Sequence, residues 1–362
     1  MQVLHISGAT SWRGGEQQLV NLYDALKKLG INQAVYCPAK SALADYCTAN
    51  NLSYYTFTRT GGFNLIAAFH LKKILRNNPD FNIIHLHDSD AHTIGYLSFL
   101  LGVKTPMVLS RKVVFKIKSS GFTKRKYNAA SIKKIICVSE AVKKVVEGTV
   151  DDKSKLIVVH EGVKTPDPST AKKFDLPVKI ENKKFDFLVG YIAALTPEKD
   201  HETFLQAAIS LVKTGFRIGF VIAGTGKENN TIETRIKELH LSENVFMIGF
   251  CDNVPALMEK LDVLLFTSLQ EGFPITILEA FFMKLPVVAT NAGGIVEMID
   301  DGKTGFISEK SNAGKLSDNV EKILANPSLR KSITENAFEF VQQFNYEAMA
   351  KNIVKIYTEI TT

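Results

Sequence analysis

Two glutamates separated by seven residues, Glu271 and Glu279, bracket the segment Glu271-Gly272-Phe273-Pro274-Ile275-Thr276-Ile277-Leu278-Glu279. The apolar run Val263–Phe266 before it reads as a buried strand, so Glu271 falls in the turn at that strand's carboxyl end. Gly272 lets backbone come close to a ligand. Pro274 suits a first turn, which places the start of a helix near Ile275 or Thr276. Bare amides at that start, added to the helix dipole, make a site for an anion such as a diphosphate. Glu279, one turn inside, is then within reach of ribose hydroxyls beyond the phosphate. Taken singly, either glutamate could equally be a solvated acid.

A second concentration of reactive types is Ile83-Ile84-His85-Leu86-His87-Asp88-Ser89-Asp90-Ala91-His92. Strand alternation puts Ile83, His85 and His87 on one face and Ile84 and Leu86 on the other. Three chemistries fit: histidines meeting a ligand at a strand's carboxyl end, a metal site, or a buried, hydrogen-bonded histidine. The run is close to a zinc-hydrolase motif, but a residue intervenes between Asp90 and His92 and no second cluster supplies ligands. No metal is therefore expected. Asp88-Ser89-Asp90 also imitates a manganese-binding aspartate pair, but one that belongs to a fold with a single nucleotide-binding domain. Ser139-Glu140 reads as a simple helix cap.

The elements that must hold these residues alternate along the chain. Val3–Ile6, Gln33–Tyr36, Ile83–Leu86, Met107–Leu109, Lys134–Val138 and Ile157–Val159 read as buried strands. Between them, Glu16–Leu29 places Leu19, Leu22, Tyr23, Leu26 and Leu29 on one helical face and stops at Gly30, and Ile66–Leu75 is similar. Residues 165–184, with Pro166, Pro168 and Pro177 and no periodicity, read as a linker. The pattern then restarts with strands Phe185–Ile192, Arg217–Ala223, Asn244–Ile248, Val263–Phe266 and Val287–Ala289. The expected fold is α/β: two Rossmann-like domains, 1–164 and 185–344, facing each other across a cleft at the carboxyl ends of their strands. The helical pattern over 345–362 could finish the second domain or return to the first.

A chain of 362 residues exceeds one compact core. No run is long and apolar enough to span a bilayer, and the amino terminus lacks the basic start and apolar core of a signal peptide. Four scattered cysteines without metal spacing suit a reducing cytosol. Charge is uneven: residues 1–163 hold 22 Lys and Arg against 11 Asp and Glu. Between Arg111 and Lys134 there is no acid, and Val113, Val114, Phe115, Ile117, Phe122 and Tyr127 are interleaved with the bases. That stretch is either a solvated helix and loop or an adhesion surface for anionic lipid headgroups. Nucleic acid is not expected, since no reading module is present.

The turn around Glu271 and Glu279 resembles the paired-glutamate motif of glycosyltransferase family 4, the group 1 glycosyltransferases of GT-B fold. Other pieces match in order. Gly14-Gly15-Glu16 looks like the loop after the first strand, and Gly190 to Lys199 like the first strand and loop of the donor domain. Gly224-Thr225-Gly226 is similar to a later glycine turn, and Asn291 to Glu297 and Asp301 to Gly305 also match. The resemblance implies a retaining, metal-independent transferase with no cofactor. Its partners would be a nucleotide sugar and a glycan or lipid-linked acceptor, in polysaccharide or lipopolysaccharide synthesis. It implies that Glu279 grips the donor ribose, Glu271 contacts the donor sugar, and Lys199 neutralises the leaving diphosphate. Phe273, Pro274, Ile275 and Thr276 would hold the distal phosphate and sugar. Gly14, Gly15, Gly224 and Gly272 would line the donor, and His87 would face donor sugar and acceptor. Two departures stand out: Ala194 where the family has an arginine, and Glu161 where it has an asparagine before Gly162-Val163. Arg13, Arg111 or Arg217 could replace the missing charge, and Glu16 and Ser139 border the same region.

Rival readings remain open on the sequence. A nicotinamide oxidoreductase would need tighter glycine spacing than Gly8, Gly14 and Gly15 offer. A nucleotide-sugar epimerase of related fold and a non-catalytic, membrane-associated relative are the others, the latter suggested by Ala194. The expected location is cytoplasmic, with the inner membrane face as a surface to which the basic stretch would hold the protein.

Overall fold

The computed structural model describes residues 1–59, 64–117, 120–165 and 174–361. The chain divides into two compact units: Met1–Lys164 with Phe344–Thr362, and Thr165–Gln343. Of the proline-containing stretch read as a linker, Pro166 and Pro168 lie outside the described residues, and Val178–Glu181 forms one helical turn.

The first unit is built on seven parallel strands: β1 (Gln2–Ile6), β2 (Asn32–Pro38), β3 (Tyr54–Phe57), β4 (Ile83–Leu86), β5 (Met107–Arg111), β6 (Ile132–Cys137) and β7 (Leu156–Val158). Their order is β3-β2-β1-β4-β5-β6-β7, and every pairing is parallel. The near-continuous apolar runs of β1, β4 and β5 follow from this, because helices cover both faces of such a sheet. The helix Gly14–Lys28 buries Leu19, Leu22, Tyr23 and Leu26, whereas Leu29, counted on the same face, is its exposed C-cap.

The carboxyl-terminal helix Tyr346–Thr361 belongs to this first unit. Met349, Ala350, Ile353, Ile356 and Tyr357 pack with Val3, Leu22, Leu26, Ile83 and Ile136. Val163 bridges to Asn345, which guides the chain back.

The second unit has six parallel strands: β8 (Phe187–Ile192), β9 (Ile218–Ala223), β10 (Val245–Gly249), β11 (Val263–Phe266), β12 (Val287–Thr290) and β13 (Phe306–Ser308). Their order is β10-β9-β8-β11-β12-β13. In each unit the order reverses beside the first strand, at β1/β4 and at β8/β11. Such switch points open a crevice at the carboxyl ends of the strands, where ligands of doubly wound sheets bind. The two edge strands absent from the sequence reading, β3 and β13, are short.

Candidate functional site

In the second unit, β11 ends at Phe266, the chain turns through Glu271, and the helix Ile275–Phe282 begins directly after its N-cap, Pro274. That cap has no side-chain acceptor, so the amino end of the helix is not closed by the protein's own oxygen in the usual way. Glu279 lies in the second turn of this helix and is half-buried. Burial pushes its carboxyl up to about 7.

Glu271 is held on both sides. Its Oε1 accepts from Lys199 Nζ at 2.5 Å and from Ser268 Oγ at 2.6 Å. Lys199 arrives from the switch-point neighbour β8, at the end of the short 3-10 turn Pro197–Lys199. Tyr191 Oη and Thr267 Oγ1 both donate to the Lys199 carbonyl, and Leu269 N donates to the Glu198 carbonyl. The loops after β8 and β11 are therefore one hydrogen-bonded assembly. The loop after β12 joins it: Gly294 N donates to the Glu271 carbonyl. Gly293 has φ +56°, and a Cβ there would come within 2.1 Å of the Glu271 carbonyl oxygen, so only glycine lets this loop pack so close. Gly224 does the same after β9, where a Cβ would meet Ala193 O at 1.8 Å.

Gly272, Phe273 and Pro274 are buried, while Ile275 and Thr276 keep partial exposure at the start of the helix. Arg217, one of three arginines considered as a replacement at Ala194, sits before β9 at the amino end of the strands. It pairs with Asp186 through Nη2 at 2.8 Å, at the sheet edge opposite Glu271. From the amino ends of the strands it does not serve the turn at their carboxyl ends.

In the first unit, the parallel register pairs His5 of β1 with His85 of β4. This brings together His5, His85 and His87, each offering a ring nitrogen within 4.8 Å of the others. The sequence reading singled out His85 and His87 but missed His5, which is far away in the chain; its position on the central strand was the signal that could have found it. His5 Nδ1 and His87 Nε2 are 3.0 Å apart, and His5 Nε2 is 3.1 Å from Gln33 Oε1. His85 is held by the Tyr357 hydroxyl at 2.6 Å and Ser110 Oγ at 2.8 Å. Among the described residues, every ring nitrogen of the trio has a protein partner except Nδ1 of His87, which is buried without one. Burial lowers the pKa of His5 to about 4 and those of His85 and His87 well below the usual histidine range, so the trio is neutral near pH 7. His92 does not join it: its Nε2 meets the Lys126 carbonyl at 3.1 Å.

The remaining candidates of this unit have structural partners. Asp88 is the N-cap of the helix Ser89–Leu100 and also accepts from Ser7 Oγ and Gly8 N, while Asp90 pairs with Arg59 at 2.6 Å. The aspartate pair is therefore engaged in capping and pairing. Glu16 is buried and accepts from Arg13 N at 3.0 Å, within a capping box. Gly14, Gly15 and the exposed Arg13 form the start of that same helix. Arg111 donates from Nη2 to the Phe115 carbonyl at 2.8 Å. Ser139 is fully buried and caps the helix Glu140–Glu147 through Val142 N, which engages its hydroxyl in the cap. Glu161, the replacement for the family asparagine, pairs with Lys112 at 2.9 Å.

Two Rossmann-like units in tandem, with Lys199 and Glu271 paired at the switch point of the second, are the architecture of the GT-B glycosyltransferases. The model for "Glycosyltransferase Family 4" matches residues 12–166 and that for "Glycosyl transferases group 1" matches residues 172–340. The chain belongs to this family of glycosyltransferases. It is 28% identical to the uncharacterized glycosyltransferase MJ1178 of Methanocaldococcus jannaschii, over 82% of this chain and 81% of that protein. It is 22% identical to the UDP-Gal:alpha-D-GlcNAc-diphosphoundecaprenol alpha-1,3-galactosyltransferase of Escherichia coli, over 99% of this chain and 97% of that one. Among solved structures, Anabaena Alr3699/HepE in complex with UDP-glucose superposes with a TM-score of 0.85 at 19% identity, covering 99% of this chain and all of that one. That likeness concerns the fold.

Proposed function

We propose that this glycosyltransferase transfers a hexose from a UDP-sugar to a lipid-linked or glycan acceptor in envelope polysaccharide assembly, with retention at the anomeric carbon and without a metal ion. The observation that carries the reading is the pair Lys199–Glu271 at the carboxyl ends of β8 and β11, with Glu279 one helical turn along. The UDP donor and the diphosphoundecaprenol-linked acceptor are suggested by the named relative and the UDP-glucose complex.

The ion pair is a placeholder for substrate. A diphosphate entering at the amino end of the helix Ile275–Phe282 competes for the Lys199 ammonium. Glu271, relieved of its cation but still held by Ser268, then accepts hydroxyls of the donor sugar. Glu279 accepts those of the ribose. As the bond from the anomeric carbon to the phosphate oxygen breaks, the acceptor oxygen bonds to the same face. Its proton passes to the leaving phosphate, and Lys199 with the helix amides stabilises the charge that develops there.

The acceptor's membrane setting has its own support. The helices Leu65–Asn77 and Gly121–Tyr127 follow β3 and β5, and right-handed crossovers put both on one face of the sheet with their starts at the same end. Leu65, Ile66 and Phe69 of the first and Val113, Phe115 and Phe122 in or just before the second are exposed, as are Lys72, Lys73, Arg76, Lys116 and Arg125. The basic stretch carries less free charge than composition suggests. Lys126 is buried, Lys112, Lys124 and Lys134 are in ion pairs, and Lys118 lies outside the described residues. Apolar side chains entering the headgroup boundary, flanked by bases, suit an anionic lipid surface. No helix among the described residues is long and apolar enough to cross a membrane.

The test is UDP release from UDP-glucose, UDP-galactose and UDP-N-acetylglucosamine with a diphosphoundecaprenol-linked acceptor, in EDTA. Turnover of one donor that survives the chelator supports the reading. Turnover that disappears in EDTA and returns with a divalent ion rejects metal independence, and no release from any nucleotide sugar rejects the function.

A further inference from the structure

The hydrogen bonds around His5 run in one direction, and that direction has a consequence at His87. Gln33 is buried, and its Nε2 donates to the Tyr23 carbonyl at 2.7 Å. A carbonyl only accepts, so the amide cannot be turned round, and Gln33 Oε1 must face His5. His5 Nε2, 3.1 Å from that oxygen, therefore carries its proton. A neutral imidazole has one proton, which leaves His5 Nδ1 as an acceptor. Its partner 3.0 Å away, His87 Nε2, must then be the donor. His87 is neutral in turn, so its Nδ1 is a bare lone pair, and this is the atom that is buried with no partner among the described residues.

We infer that Gln33 and His5 are positioning residues that fix His87 as the Nε2–H tautomer, so that its unpartnered Nδ1 accepts a hydrogen bond from a substrate hydroxyl. The inference rests on the transferase reading for the hydroxyl, but not for the tautomer. A buried nitrogen without a partner is costly, and native proteins seldom keep one without use. A sugar or acceptor hydroxyl brings the O–H that the protein withholds. The arrangement also assigns a direction: His87 receives a hydrogen bond and is not the group that protonates the leaving phosphate. His85 is outside this relay, since the hydroxyls of Tyr357 and Ser110 can each donate or accept and leave its tautomer undetermined.

The experiment is long-range proton–nitrogen correlation NMR on ligand-free protein labelled at histidine, with the His87 signals assigned by their loss in His87→Gln. In the native chain, His87 should show a protonated Nε2 and a lone-pair Nδ1. In Gln33→Met, which keeps the volume but removes the oxygen, His5 is released and the proton of His87 should move at least partly to Nδ1. Turnover should then fall about tenfold while the Kd for UDP stays within about twofold, as expected for the loss of one substrate hydrogen bond. A native His87 protonated on Nδ1 overturns the inference without any variant, and so does a Gln33→Met tautomer identical to that of the native chain. Absence of transferase turnover with the expected tautomer present would instead sink the functional reading and leave the relay standing.

Discussion

Lys199 Nζ lies 2.5 Å from Glu271 Oε1, a contact between the loops of two neighbouring strands, β8 and β11, at the point where the sheet order reverses. Both side chains are largely buried, at 16% and 9% exposure, so neither charge is well solvated without the other. In the proposed function, this is the contact that an entering diphosphate breaks.

Replacing Lys199 separates its two roles. Lys199→Ala should lower turnover by roughly two to three orders of magnitude, the ~2.7–4 kcal/mol lost when a charged transition-state contact is removed. It should also lower Tm, because Glu271 is left buried beside Ser268 without a counter-ion. Lys199→Ala with Glu271→Gln should recover much of the Tm and none of the turnover. Thermal melting and UDP release measured on the same preparations check both, and unchanged turnover in Lys199→Ala would remove this lysine from the mechanism.

Glu279 predicts a pH dependence of known sign. Its carboxyl is raised from 4.5 to about 7 by burial, so the folded protein holds that proton more tightly than the unfolded chain. Its contribution to stability is therefore full below the ordinary value and is lost as pH rises through about 7. In the proposed role, by contrast, ribose hydroxyls need the carboxylate. Affinity for UDP-glucose, whose phosphates do not titrate in this range, should rise on the order of tenfold from pH 6 to 8. Glu279→Gln should flatten both trends, with weaker donor binding at the upper end.

The exposed apolar and basic residues of the first unit predict salt-sensitive lipid binding. Flotation with vesicles containing anionic phospholipid should capture the native chain at low salt and lose it as salt rises or when the lipid is neutral. Leu65→Ser, Ile66→Ser and Phe69→Ser combined, or Phe115→Ser with Phe122→Ser, should each reduce capture while leaving the Kd for UDP unchanged. Equal capture by neutral vesicles would rule out the charge-guided surface.

The last helix should be indispensable to the first unit. Burying Met349, Ile353 and Ile356 contributes ~1.5–3 kcal/mol each, a large part of the usual stability of a domain. A chain ending at Gln343 should lose the cooperative melting of unit 1 while unit 2 keeps its own. Tyr357→Phe, which leaves His85 Nδ1 unpaired in the core, should cost ~1–3 kcal/mol.

Much of this architecture was legible in the amino-acid order, because runs such as Val263–Phe266 and Ile83–Leu86 are apolar on both faces and only parallel sheets bury both. The turn from Glu271 to Glu279 was readable because Pro274 marks the helix start. What stayed hidden depends on pairing across the chain. Tyr54–Phe57 and Phe306–Ser308 are short edge strands defined by their neighbours more than by their own pattern. The ion pair of Lys199 with Glu271 and the meeting of His5 with His87 need the strand order, which local periodicity does not carry. The destination of the final helix was equally silent, since its apolar teeth would fit either sheet. Ser139 caps its helix as its residue type suggests, whereas Arg217, a residue type suited to a phosphate, pairs with Asp186 at the other end of the strands.

Calorimetric titration of UDP into chelator-treated protein, native and Glu279→Ala side by side, probes the donor site most directly. The site described here predicts saturable one-site binding in the native chain and a Kd raised tenfold to a hundredfold in the variant, the ~1.5–3 kcal/mol of a hydrogen bond to a charged group. Equal affinity in the two proteins, or no binding of UDP to the native chain, would contradict it.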